Sequence, residues 1–113
     1  MANQHLVDML KRSVEEFNQF REENPDEVID LVRANLSGAE LFRANLRNAN
    51  LTKANLTKAN LTEAALYDVD LTGADHLTGA YLAGVRLRGV KGLKHKDFDS
   101  FVEQTKGYIR FDE

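Results

Sequence analysis

Leucine returns at every fifth position over the middle of the chain, at Leu31, Leu36, Leu41, Leu46, Leu51, Leu56, Leu61, Leu66 and Leu71. Two positions earlier stands a small aliphatic residue: Ala34, Ala39, Ala44, Ala49, Ala54, Ala59, Ala64 and finally Val69. A separation of two places both side chains on one face of an extended segment, and the polar residues between them face water. A helix cannot use this pattern, because a step of five residues walks the leucines round the axis by about 140° each time. A flat sheet fails as well, since an odd repeat flips faces unless a turn intervenes in every unit. The pattern predicts a solenoid in which each unit supplies one short strand and one corner, with the leucines Leu36, Leu41, Leu46, Leu51, Leu56, Leu61, Leu66 and Leu71 as its structural core.

The units read IDLVR, ANLSG, AELFR, ANLRN, ANLTK, ANLTK, ANLTE, AALYD and VDLTG from Ile29 onward. In this A(N/D)Lxx form the chain resembles the pentapeptide-repeat family. The resemblance implies a β-solenoid, specifically a right-handed, four-sided β-helix with about twenty residues per coil. It also implies a scaffold rather than one shared activity, because function on such folds resides in grafted surfaces.

The phase slips by one residue at Ala74, Asp75, His76 and Leu77, resumes in AYLAG and VRLRG through Leu82 and Leu87, and slips again between Val90 and Leu93. Thirteen unit starts fall between residues 29 and 90. Divided over four sides they make about three and a quarter coils, a tower that rises on the order of 15 Å. So short a tower exposes its leucines and strand edges at both ends unless they are covered. Residues 3–23 read as a single helix with Leu6, Leu10, Val14, Phe17 and Phe20 along one stripe, supported by the pairs Asp8/Arg12 and Lys11/Glu15. Pro25 is the expected stop. The chain thus divides into an amphipathic helix and linker over 1–28 that caps the solenoid, the repeat β-helix over 29–95, and a C-terminal cap over 96–113. Phe98, Phe101 and Val102 suggest a helical turn in that last segment, with Tyr108, Ile109 and Phe111 in an extended tail. An end-to-end homodimer through the C-terminal end, as in some relatives, is an alternative use of it.

On a four-sided solenoid, residues twenty apart stack. One outward column then holds Arg47, Tyr67 and Arg88, where a guanidinium can lie over an aromatic ring; another holds Phe42 and Thr62 beside Arg43 and Glu63. Arg47, Tyr67, Arg88, Phe42 and Arg43 form the candidate protein-binding face, since aromatic and arginine side chains anchor interfaces. Asn35 with Asn55, and Asn50 with Asp70, read as ladders that satisfy backbone groups at corners.

Charge changes the picture next. Residues 1–30 carry three basic and eight acidic side chains, residues 31–95 nine and five, and residues 96–113 three and five, which sums to the net charge of −3. Among pentapeptide-repeat proteins, some imitate duplex DNA and regulate type II topoisomerases such as DNA gyrase; a mildly basic tower is a poor imitation of a polyanion. Scattered basic residues with a single Tyr on that column also give no platform for nucleic acid. The acidic start argues against binding to anionic lipid, and no stretch approaches a membrane span.

The chain has no cysteine, which is compatible with a cytoplasmic setting, and MANQHLVDML does not read as a signal peptide. His5, His76 and His95 lack ligand-spaced partners, so no catalytic, metal or cofactor site is expected. His76 reads as an inserted residue at a bulged corner. Gly73, Gly79, Gly84, Gly89 and Gly92 read as corner residues and not as a phosphate cradle. The sequence therefore predicts a non-enzymatic scaffold or interaction module with an unidentified protein partner. The resemblance adds a bacterial, especially cyanobacterial, association, with DNA mimicry toward gyrase as the alternative.

Overall fold

The computed structural model describes residues 2–73, 77, 79–86 and 90–92. The expected C-terminal cap over 96–113, the residues at the first phase slip other than Leu77, and Arg88 lie outside the described residues.

Each five-residue unit makes one side of a coil. The leucines and their small partners point inward: Leu31 through Leu61 are fully buried, as are Ala44, Ala54, Ala59 and Ala64. Two residues after each Leu the chain turns, and the N–H of the next small residue donates to the Leu carbonyl, as in Ala34 N to Leu31 O at 3.0 Å and Ala54 N to Leu51 O at 2.9 Å. The third residue of these turns has positive φ: Arg33, Arg43, Asn48, Lys53, Lys58, Glu63 and Asp68 lie between 58° and 62°. This is the backbone of a type II turn, in which Gly or Asn is the ordinary occupant. Each left-handed residue other than Asn and Asp costs about 1–2 kcal/mol. The ladder offsets part of that cost, because the strained residue also donates across coils, as in Arg33 N to Thr52 O and Lys53 N to Thr72 O.

Coils stack in parallel. Asp30 bridges Asn50, Asn35 bridges Asn55, Glu40 bridges Asn60 and Asn45 bridges Ala65, an offset of twenty. Beyond the slip the offset is twenty-one: Asn60 bridges Tyr81, Ala65 bridges Arg86 and Asp70 bridges Lys91. The sides are so short that the ladder consists of isolated bridges between turns. The extra residue is absorbed before Leu77, which returns to the core at 5% exposure. At the second slip Gly92 stands where Leu71 stood one coil earlier, and its backbone approaches so closely that a Cβ would lie 2.4 Å from Thr72 N.

The Asn and Asp ladders close the corners from outside. The Oδ1 of Asp30, Asn35, Asn45, Asn50, Asn55, Asn60 and Asp70 each accepts from the backbone N–H two residues on, at 2.9 to 3.3 Å. These are Asx turns, and they are why a short polar side chain precedes the leucine.

The N-terminal segment differs from the single helix expected over 3–23. It forms α1, Gln4–Arg12, and α2, Val14–Glu23, separated by Ser13 in extended conformation. Ser13 ends the first helix through its N–H to Met9 O and starts the second with its hydroxyl, which accepts from Glu16 N. Two short helices can follow the perimeter of a square coil, whereas a straight rod of twenty residues would run about 30 Å across it. The ion pair is accordingly Arg12 with Glu16, at 2.8 Å across the break, in place of the expected Asp8/Arg12 and Lys11/Glu15 pairs; Asp8 instead accepts from Gln4. Leu6, Val7, Met9, Leu10 and Phe17 join the same apolar cluster as the solenoid leucines.

Candidate interaction face

Side chains on the outside of a side are set by the ladder: residues one coil apart lie one above the other. On the side formed by Asn45–Arg47 and Ala65–Tyr67, this puts the Arg47 guanidinium over the Tyr67 ring, 5.5 Å from its centroid. That separation is within the range of a cation–π contact. Arg86, bridged to Ala65, reaches the same ring from the next coil and donates from Nη1 to Tyr67 Oη at 3.4 Å. The tyrosine therefore stands half-buried between two arginines. Arg86 was not among the residues the sequence brought forward. The signal was present in the one-residue slip, because Ala65 plus twenty-one is Arg86.

Arg21 enters the same neighbourhood from α2. Its Nη1 donates to Asn45 O at 3.0 Å and its Nη2 to Arg47 O at 2.7 Å. Burial, and then the charge of Arg47, push its pKa down, but a guanidinium so high in the basic range stays charged. A fixed positive charge thus backs the edge of this side.

Phe42 and Arg43 fall on the adjoining side. The Arg43 guanidinium lies 4.9 Å from the centroid of the Phe42 ring and pairs with Glu63 at 3.3 Å, joining successive coils. Phe42 keeps 42% of its surface exposed. The five proposed binding residues thus separate into two groups on neighbouring sides, Arg47 with Tyr67 and Phe42 with Arg43, while Arg88 lies outside the described residues. The surface is convex and carries cations on aromatic rings. Aromatic and arginine side chains of this kind are the usual anchors of protein interfaces. Among the described residues no three His, Asp or Glu converge as metal ligands, and no helix is long and apolar enough to cross a membrane.

Comparison with known proteins agrees with this geometry. The model of the family described as pentapeptide repeats, with eight copies, matches residues 29–64 and 39–75. Among solved structures, a pentapeptide-repeat protein from the thylakoid lumen of Arabidopsis thaliana is 34% identical, with a TM-score of 0.51. The match covers 54% of this chain and 41% of that one, so the chain spans about two-fifths of that protein's length. No curated protein matches the sequence.

Proposed function

Residues 29–75 belong to the pentapeptide-repeat family, and from this premise we propose that the protein is a non-enzymatic interaction module whose partner is a protein docked on the Arg47/Tyr67/Arg86 side. The observation that carries the reading is Tyr67 engaged twice, with the Arg47 guanidinium over its ring and Arg86 at its hydroxyl. Contact with the arginines fixes the ring's orientation, so less side-chain entropy is left to lose when a partner arrives. Tyrosine and arginine are also the residue types that most often dominate interface energies. The exposed Phe42 with Arg43 on the next side extends the surface round one corner. A cytoplasmic setting, with which the lack of cysteine is compatible, is part of this proposal.

DNA mimicry toward a type II topoisomerase calls for a continuous negative face. Residues 31–95 carry nine basic against five acidic side chains, and the described Arg and Tyr side has the opposite sign. Affinity capture from lysate of the source organism tests the proposal. Wild type is compared with an Arg47→Glu, Tyr67→Ala, Arg86→Glu variant whose melting curve is unchanged. A protein retained by wild type and lost with the variant is the expected result. Identical retained sets would sink the assignment of this face, and topoisomerase subunits among them would favour mimicry.

A further inference from the structure

A second site lies at the opposite corner of the first coil. The ladder has a direction: Asn50, Asn55, Asn60 and Ala65 each donate their N–H back to the preceding coil, to Ile29, Ala34, Ala39 and Ala44. In the first coil the equivalent groups point toward the helices, where no coil precedes. Substitutes complete one side and part of another. Asn3 N donates to Asp30 O at 2.8 Å, and on the far side the Asn18 carboxamide accepts from Asn45 N at 2.8 Å while Arg21 donates to Asn45 O and Arg47 O. The N–H groups of Asp30, Asn35 and Glu40 have no hydrogen-bond partner among the described residues. Of these three residues Asn35 lines the cleft beside α1, and its side-chain Oδ1 already accepts from Ser37.

Beside that open edge runs a cleft of about 380 Å³ between α1 and the first corner. Val7, Val32 and Ala34 make its apolar wall, and its two charged residues are both cations, Lys11 and Arg33. Neither forms an ion pair among the described residues. The nearby carboxylates have other duties: Asp8 accepts from Gln4, and Asp30 accepts from Val32 N–H. An open main-chain donor, an apolar wall and two unpaired cations are complementary to an extended peptide with carboxylate side chains. The backbone of such a peptide would add to the sheet edge as the missing coil does elsewhere.

We propose that the cleft between α1 and Val32–Asn35 docks an extended acidic segment of a partner protein by strand addition to the first coil. The site is independent of the Arg47/Tyr67 face, and either assignment stands if the other fails.

Amide NMR of the full chain tests it, with acetyl-Ser-Glu-Val-Glu-Ser-amide as probe and the Gln-for-Glu peptide as control. With the acidic probe titrated through about 1 mM, the range of a weak affinity, saturable shifts are expected at Val7, Lys11, Arg33 and Asn35. They should weaken at least about tenfold with the Gln peptide or in a Lys11→Gln, Arg33→Asn variant, a loss that corresponds to the removal of charge-assisted contacts. Asn suits position 33 because it tolerates the left-handed backbone there. Equal response to both peptides, no response, or shifts centred on Arg47 and Tyr67 would overturn the proposal. Hydrogen exchange of the free protein gives a second reading. The Asn35 amide should exchange far faster than the Asn55 amide, and equal protection would show that the edge is already filled, by a second copy or otherwise.

Discussion

At the scale of single residues, the structure depends on positions that look interchangeable in the sequence. The Asn or Asp that precedes most of the repeat leucines is a turn-closing acceptor, and Asp70 shows the electrostatic side of that role. The Thr72 hydroxyl first, and then its N–H, hold the Asp70 carboxyl below its ordinary pKa. A depressed folded-state value means that the contribution is fully present above the unfolded carboxylate pKa and is lost as pH falls through the folded one. Glu16, lowered by its hydrogen bond from Arg12, behaves alike. An Asp70→Asn variant keeps the acceptor and removes the titration. Its stability should fall less steeply than that of wild type between about pH 4 and pH 2, as followed by urea unfolding at each pH. Parallel acid limbs for the two proteins would mean that Asp70 carries none of the pH dependence.

At the scale of elements, α2 acts as a rung of the ladder made from side chains. Arg21 stands in for two N–H groups, and the Asn18 oxygen for a carbonyl of the coil that does not exist. Backbone groups at a folded edge cost free energy when left unpaired, even where water reaches them in part. Arg21→Met keeps the stem of the side chain and removes both donors. It should destabilise the protein by about 1–2 kcal/mol, whereas Gln19→Met on the exposed face of the same helix should change little. Equal denaturation midpoints for the two variants would contradict the rung assignment.

The same helices show where the sequence stops being legible. The inward Leu and Ala register, the Asn ladder and the residue of slip follow from periodicity alone, because each is repeated. The break at Ser13 is a single event in a continuous apolar stripe. It arises because the helical segment must turn along a coil perimeter, which is a tertiary demand. Likewise the left-handed Arg33, Arg43, Lys53, Lys58 and Glu63 give no hint of positive φ in themselves; the hint lies in Gly38, Asn48, Asp68 and Gly73 at the same place in other units. Of the candidate face, the Arg47–Tyr67 stack was readable from the spacing of twenty; the approach of Arg86 needed the slip to be carried through to the next column.

At the scale of the whole molecule, stability resides in a continuous column of leucines that every coil shares. Leu56 is fully buried with coils above and below it. Leu56→Ala should cost about 2–5 kcal/mol through lost burial and the residual cavity. Thr57→Ala, on the outward side of the same unit, serves as the reference. A melting-temperature change for Leu56→Ala no larger than for that reference would refute the shared-core account. Because neighbours couple only coil to coil, the loss should appear as one unfolding transition in so short a stack.

The offset of twenty-one beyond Leu77 also bears on how such a protein changes over generations. An extra residue enters the chain between two bridges, Asn50 to Asp70 and Asn60 to Tyr81, and both bridges form. In most folds a one-residue insertion scrambles everything downstream of it in a strand. Here it shifts the bridge offset by one and leaves the ladder on both sides of it intact. A lineage carrying this architecture can therefore try new surface combinations through small indels as well as point substitutions, and the stacking frame survives each trial.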